Sequence, residues 1–91
     1  MIRSLTALPV FNEVNTVNAV LDEVKRYSDH ILVVDDGSDD GTLDILKQRD
    51  DIYLTLHDGN RGYGAALATA FSLGRNFYLP KILANFVLHL R

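Results

Sequence analysis

The chain contains no cysteine among its 91 residues. This absence excludes a disulfide framework, a zinc site built on thiolates and a catalytic cysteine nucleophile. A protein without thiols fits a reducing compartment. We therefore expect the protein to reside in the cytoplasm.

Basic charge is also scarce. Nine Lys and Arg residues face twelve Asp and Glu residues, which gives a net charge of −3. Because no basic cluster exists, the composition argues against a nucleic-acid partner. No apolar run reaches the length of a membrane span, so we expect no transmembrane segment. The length allows one small domain at most.

Patterns typical of strands and helices alternate along most of the chain. Strands are predicted at residues 2–10, at 31–34 and from 52 to 56 or 57. Helices are predicted at residues 13–27, from 39 or 40 to 47 or 48, and at 65–71, with Gly74 as the stop. This β-α-β-α-β-α order predicts an α/β fold with three layers, in which helices cover a Rossmann-like parallel sheet.

The second strand ends abruptly at two carboxylates, Asp35 and Asp36, followed by Gly37. The strand is apolar at every position, which is typical of a strand buried on both faces of a parallel sheet. Ligands of such sheets bind beyond the carboxyl ends of the strands. The same residues could instead form a turn that caps the next helix, and this segment alone leaves both interpretations open.

Three motifs lie in strand-to-helix connections, at residues 9–13, at Asp35 and Asp36, and at residues 59–64. In a parallel sheet with right-handed crossovers, these connections all lie along one edge. The sequence therefore predicts a ligand site at the carboxyl edge of the sheet.

The glycine-rich loop at residues 59–64 does not match a known phosphate-binding fingerprint. The dinucleotide motif follows the first strand, whereas this loop follows the third, and no Gly-Lys-Ser/Thr sequence exists for a Walker loop. The backbone amides and Arg61 could face an anion, as a helix N-terminus does. Alternatively, the glycines serve close packing at the start of a helix.

Other polar residues give no good evidence for a catalytic or metal site. We do not expect His57 and Asp58 to pair with each other, because adjacent residues at a strand end point in opposite directions. His30 and His89 have no partner at metal-ligand spacing. Phosphorelay receivers also carry acidic pairs, but this chain lacks a phospho-acceptor in the later position that they require.

Taken together, the three motifs resemble the N-terminal half of family 2 glycosyltransferases. The matching segments are PVFNE at residues 9–13, VVDDGSDDGT at 33–42 and NRGYGAA at 60–66, within a resemblance that covers residues 2–73. Similar members include dolichol-phosphate mannose synthases and bacterial polyprenyl-phosphate or cell-wall sugar transferases. The resemblance implies a hexosyltransferase-type activity in a complete enzyme.

The resemblance also implies a GT-A fold and a nucleotide-diphosphate sugar donor, linked to UDP or GDP. In the first motif, three residues would line the nucleoside pocket. Asp36 would accept a hydrogen bond from the base with Val34 nearby, and Arg61 would lie towards the diphosphate. The nucleotide-binding residues implied by the resemblance are Pro9, Phe11, Glu13, Val34, Asp36 and Arg61.

The chain departs from the family pattern after the third helix. Complete members continue to a D-x-D-like motif that holds Mg²⁺ or Mn²⁺ against the diphosphate, and a later acidic residue serves as the general base. Here no acidic residue follows Asp58. We therefore expect no bound metal, no catalytic residue and no sugar transfer by this chain alone.

We expect residues 76–91 to form a separate unit after the donor-binding half at residues 1–75. Ile82, Leu83, Phe86, Val87 and Leu90 predict one apolar stripe on an amphipathic helix. The helix could pack on its own domain, contact a membrane or exchange with a second copy. The last possibility gives an alternative function, a non-catalytic module that forms a homodimer through this helix.

Overall fold

A computed structural model of the 91-residue protein describes residues 5–75. The strands are β1 (Leu5–Val10), β2 (His30–Asp35) and β3 (Tyr53–Leu56). The helices are α1 (Val17–Lys25), α2 (Thr42–Lys47) and α3 (Tyr63–Arg75). The predicted β-α-β-α-β-α order is thus confirmed. The predicted amphipathic helix at 76–91 and the first residues of the predicted first strand lie outside the described residues.

The three strands form one parallel sheet in the order β1-β2-β3. Strand β2 lies in the centre and is buried from Ile31 to Asp35. Its apolar side chains face helices on both sides, as the unbroken apolar run predicted. Val10 of β1 lies beside Asp35 of β2, which in turn lies beside Leu56 of β3. The three strands therefore end at the same level, and their connections emerge side by side.

Helices cover both faces of the sheet and complete the predicted three layers. On one face, α1 and α2 pack against alternate strand residues. The buried members of this cluster are Leu8, Val10, Val17, Leu21, Ile31, Val33 and Leu46. On the other face, small residues of α3 pack closely against β1 and β2. The buried members of that second cluster are Ala7, Val34, Ala66 and Ala70.

The predicted helix boundaries differ from the structure by up to four residues. Helix α1 begins at Val17 instead of residue 13, because the preceding residues form a turn whose amides bond to the next loop. Helix α3 runs through Gly74 to Arg75, so Gly74 is not a stop. A glycine ends a helix when it takes a left-handed conformation, and inside a helix it costs only about 1 kcal/mol.

The half-buried Arg49 joins α1 to the connection between α2 and β3, at the opposite edge of the sheet. Arg49 donates two hydrogen bonds to Asp51, at 2.9 and 2.8 Å, and further ones to Asn18 and Asp22 of α1. Lys25 donates to the same Asp51 carboxylate at 2.7 Å. Hydrogen bonds from Arg49 lower the pKa of Asp51, outweighing the effect of its partial burial. This cluster fixes the end of α1 against the connection between α2 and β3.

None of the helices within residues 5–75 has both the length and the apolar character of a membrane span.

Candidate functional site

The loops that leave the three strands begin side by side. The Asp36 amide donates to the Val10 carbonyl at 2.8 Å, and the His57 amide donates to the Asp35 carbonyl at 2.9 Å. These bonds extend the sheet pairing one residue beyond each strand. The structure therefore confirms the predicted convergence of the three connections at the carboxyl edge.

The first loop is bonded to the second through Asn12. This residue has a φ of 51°, in the left-handed region that asparagine tolerates better than most residues. Its amide donates to Ser38 Oγ at 2.9 Å, and its side chain exchanges two hydrogen bonds with Asp39, at 2.8 and 3.0 Å. Asn12 thus links two loops and does not cap α1.

The next residues of the first loop bond to the start of α2. The Glu13 amide donates to Thr42 Oγ1 at 2.8 Å, while the Glu13 carboxylate accepts from Thr16 Oγ1 at 2.7 Å. The Val14 amide donates to the Asp40 carboxylate at 3.3 Å. Because three consecutive amides of this loop bond to the second loop, the two loops form one unit.

The two adjacent carboxylates of the second loop have different roles. Asp35 accepts hydrogen bonds from the Ser38 amide at 3.0 Å and from Ser38 Oγ at 2.6 Å. This is the turn that the simpler interpretation predicted. Asp36 instead reaches the third loop, so only one of the two carboxylates shapes its own turn.

The Asp36 side chain is fully buried and accepts three hydrogen bonds. His57 Nδ1 lies 2.7 Å from Oδ1, the Arg61 amide donates to Oδ1 at 3.0 Å, and the Gly62 amide donates to Oδ2 at 2.9 Å. Burial raises the pKa of Asp36, but the hydrogen bonds from His57 and the two amides outweigh it and hold the pKa below its ordinary value. Asp36 is therefore a buried anion that organises the glycine-rich loop.

The glycine-rich loop also packs directly on Gly37. A Cβ added at Gly37 would lie 2.5 Å from the Gly59 carbonyl carbon and 2.6 Å from the Asn60 nitrogen. Contacts this short with backbone atoms do not occur in folded proteins. Gly37 thus allows the second and third loops to touch through their main chains.

The residues implied by the resemblance fall into two groups. Pro9 and Val34 are neighbours in the sheet and are buried, as is Asp36. Phe11 and Glu13 are half-buried on the first loop, and Arg61 is exposed on the third. The list of accessible candidates is therefore Phe11, Glu13 and Arg61. Asp36 meets Arg61 through the Arg61 amide. The nucleotide-binding roles of all six residues remain predictions.

His57 and Thr69 are polar residues of this edge that the sequence analysis did not assign to it. His57 is buried, and its Nε2 lies 2.8 Å from Thr69 Oγ1 on α3. As predicted, no described bond joins His57 to Asp58. The ends of the strands could have indicated that His57 lies near Asp36, because residues one place beyond β2 and β3 are neighbours in a parallel sheet.

Complete members of the family are expected to hold a divalent metal, which requires a cluster of metal-ligating side chains. No group of three or more His, Asp or Glu side chains within residues 5–75 has a suitable arrangement. The carboxylates of the second loop are bonded instead to Ser38, His57, Asn12 and Thr42. The Mg²⁺ or Mn²⁺ expected in a complete member of the family remains a prediction.

Comparisons with known proteins point to the same family as the motifs. The sequence model described as "Glycosyl transferase family 2" matches residues 6–79. Two proteins of Methanocaldococcus jannaschii are similar. "Uncharacterized protein MJ1222" is 38% identical over 80 residues, covering 87% of this chain and 32% of that protein. "Uncharacterized protein MJ0544" is 32% identical over 81 residues, covering 81% of this chain and 35% of that protein. No solved structure matches significantly.

The family match covers both the β-α-β-α-β-α unit and the three motifs at its carboxyl edge. The fold is consistent with part of a GT-A domain, in which such a parallel sheet supports the site. The chain spans about a third of the length of the two curated relatives. This chain belongs to the family 2 glycosyltransferases.

Proposed function

We propose that this chain is the donor-binding half of a family 2 glycosyltransferase. Its ligand would be a nucleotide-diphosphate sugar linked to UDP or GDP. In a complete enzyme, the sugar would pass to a lipid phosphate or a glycan, as in dolichol-phosphate mannose synthase-like transferases. The family match supports the class of ligand, and the geometry of the carboxyl edge supports the position of the site.

One observation carries this proposal. The loops after all three strands are bonded to one another, the first to the second through Asn12 and the second to the third through Asp36. Loops joined in this way hold their side chains in fixed relative positions before a ligand arrives. Such preorganisation reduces the entropy that binding costs. It is also what a site at the carboxyl edge of a parallel sheet requires.

Three accessible side chains offer the chemistry that a nucleotide diphosphate needs. Phe11 is half-buried and offers an aromatic ring for a base. The exposed Arg61 guanidinium suits a diphosphate, since its planar donors match phosphate oxygens. Glu13 adds an acceptor beside Phe11. A base that reaches Asp36 would have to replace an amide of the glycine-rich loop, because that carboxylate is fully buried.

Sugar transfer by this chain alone is not part of the proposal. Residues 5–75 contain no group of three or more His, Asp or Glu side chains arranged to hold a metal, and the sequence has no acidic residue after Asp58 to act as the general base. In a complete enzyme a divalent cation would neutralise the leaving diphosphate. Donor binding by this chain should therefore be independent of Mn²⁺.

The test is a titration of the full chain with UDP-sugars and GDP-sugars, with and without Mn²⁺, followed by amide shifts in NMR spectra. We expect saturable shifts at Phe11, Asp36 and Arg61 that are the same with and without the metal. Shifts that require Mn²⁺ would reveal a metal ligand outside the described residues. The absence of saturable shifts at millimolar nucleotide would contradict the proposal.

As the second candidate, we propose a non-catalytic module that forms a homodimer through the amphipathic helix predicted at residues 76–91. Light scattering over a wide range of concentration tests this, because a constant monomer mass would exclude a dimer.

A further inference from the structure

Three polar side chains form a continuous chain of hydrogen bonds beneath the carboxyl edge. Thr69 Oγ1 lies 2.8 Å from His57 Nε2, and His57 Nδ1 lies 2.7 Å from Asp36 Oδ1. The His57 side chain is 4% exposed and that of Asp36 is 0% exposed. These hydrogen bonds thus connect α3, the end of β3 and the loop after β2, and they lie in the protein interior.

The chemistry of the groups fixes the direction of these bonds. The Asp36 carboxylate carries no proton at neutral pH, so it can only accept. His57 Nδ1 must therefore carry a hydrogen and donate it to Asp36. In a neutral imidazole, Nε2 is then an acceptor, and the Thr69 hydroxyl donates to it. Asp36 thus selects the tautomer of His57, and the Thr69 hydroxyl, which can donate or accept, satisfies the remaining nitrogen.

The hydrogen-bond donors to Asp36 differ in how easily a ligand can displace them. The amides of Arg61 and Gly62 belong to a surface loop, and Gly62 has a φ of 95° with open space around its Cα. His57 is buried between the sheet and α3. A ligand can displace a loop amide by moving the loop, whereas displacing His57 would open the core. His57 is therefore the fixed partner of Asp36.

We infer that His57 is a positioning residue of the nucleotide site, which holds the Asp36 carboxylate in one orientation while the loop amides exchange with a ligand. Thr69 supports this role by bonding to His57 Nε2, which helps to hold the imidazole ring in place. The inference rests on the proposed function, in which the base of the donor bonds to Asp36. His57 itself does not touch the ligand.

Two substitutions test the contacts of the two His57 ring nitrogens separately. The amide nitrogen of asparagine can replace Nδ1, so His57→Asn keeps a donor for Asp36. The amide of glutamine reaches the position of Nε2, so His57→Gln keeps the contact with Thr69 and loses the one with Asp36. We expect His57→Asn to bind UDP- or GDP-sugar within about threefold of the wild type and His57→Gln to bind about tenfold more weakly, as for residues that orient a ligand-binding group.

His30 provides a matched control for the change to glutamine. It is the first residue of β2, at the opposite edge of the sheet, and its Nδ1 lies 3.0 Å from the Tyr53 hydroxyl. His30→Gln should bind nucleotide like the wild type. Circular dichroism establishes that each variant is folded before its affinity is compared.

Imidazole ¹⁵N shifts of the wild-type chain provide a second readout that does not depend on any variant of His57. We expect a protonated Nδ1 and an unprotonated Nε2 for His57 before nucleotide is added. The same tautomer should persist at saturation, while the amide resonances of Arg61 and Gly62 move. Thr69→Val should leave this tautomer unchanged, because the Asp36 carboxylate still accepts from Nδ1.

The outcomes separate the inference from the proposed function. If the wild type binds neither a UDP-sugar nor a GDP-sugar, the proposed function is wrong and the role of His57 falls with it. If the wild type binds and His57→Gln binds as well as His57→Asn, the inference alone is wrong. If His57→Gln does not fold, the ¹⁵N shifts decide, since a change of the His57 tautomer on binding would overturn a fixed orientation.

Discussion

Replacement of Gly37 by alanine should separate the second and third loops of the site. Gly37 has a φ of 77°, and its added Cβ would lie 2.5 Å from the Gly59 carbonyl carbon and 2.6 Å from the Asn60 nitrogen. Both neighbours are backbone atoms, so no side-chain rotation can relieve the contact. The main chain of one loop must move.

The expected loss of stability has two parts. An alanine in the left-handed region costs about 1–2 kcal/mol. Forcing an extra methyl group into a closely packed site costs about 1–3 kcal/mol. The sum is about 2–5 kcal/mol in the free energy of unfolding, which is a large share of the roughly 5–15 kcal/mol typical of a natural domain. The Gly37→Ala variant should thus be only marginally stable.

Urea unfolding followed by circular dichroism measures this loss, and the chain offers two matched controls. Gly41 and Gly62 also have positive φ values, of 100° and 95°. A Cβ at Gly62 would meet nothing within 4 Å, and at Gly41 it would meet only Val14 Cγ2, at an ordinary 3.5 Å. Alanine at either position should therefore lose only the conformational part, about 1–2 kcal/mol.

The comparison tests the close approach of the two loops directly. If Gly37→Ala loses no more stability than the two controls, to within about 0.5 kcal/mol, the loops do not touch as described. The predicted clash would also displace the amides that bond to Asp36. Nucleotide affinity should thus fall in Gly37→Ala even at urea concentrations where the variant remains folded.

Three further predictions concern charged side chains. Arg49→Met removes a half-buried guanidinium that joins α1 to the connection before β3, so urea unfolding should show a loss of about 1–3 kcal/mol, against less than about 0.5 kcal/mol for the exposed Lys47→Met. Arg61→Ala keeps the backbone amide and should leave the unfolding midpoint unchanged while weakening nucleotide binding about tenfold in the NMR titration. Because the pKa of Asp36 lies below its ordinary value of 3.8, the stability from its ionised form is present above that pH and is lost as the pH falls through the native value. The difference in unfolding free energy between the wild type and Asp36→Asn should therefore shrink below pH 3.8, and a constant difference would contradict this assignment.

The architecture could be predicted because its signals are local. The apolar run at 31–34 indicated a strand buried on both faces, and the structure extends it by only one residue at each end, to His30–Asp35. The alternation of strands and helices then left a parallel sheet as the only simple topology. Each element was visible within its own segment of sequence.

The start of α1 could not be predicted in this way. Asn12 and Glu13 are typical residues for the start of a helix, so the sequence predicts that α1 begins at residue 13. In the structure they bond instead to Ser38, Asp39 and Thr42, more than twenty residues later. These bonds between loops outweigh local helix propensity, which is a weak preference at any single position. The irregular segment at 11–16 is thus a consequence of the site.

The pairing of Asp36 with His57 could not be predicted from the sequence either. Adjacent residues suggested a pairing of His57 with Asp58, which was correctly set aside, but the pairing with Asp36 depends on the register between β2 and β3. That register places Asp35 beside Leu56. A shift of one residue would move His57 to the other face of the sheet and away from Thr69. Register is set by packing of the whole sheet, so this bond becomes visible only in three dimensions.

The buried state of Asp36 limits what this residue can add to donor affinity. A base that donates to Asp36 replaces a loop amide that already donates to it, and an exchange of one hydrogen bond for another changes the free energy little. Net affinity must then come from contacts that the ligand-free edge lacks, namely stacking on Phe11 and the ion pair of a diphosphate with Arg61. Stacking contributes about 0.5–1.5 kcal/mol beyond buried area. Donor binding by this chain should therefore be weak and salt-sensitive, and an affinity that does not change with ionic strength would show that Arg61 does not meet the diphosphate.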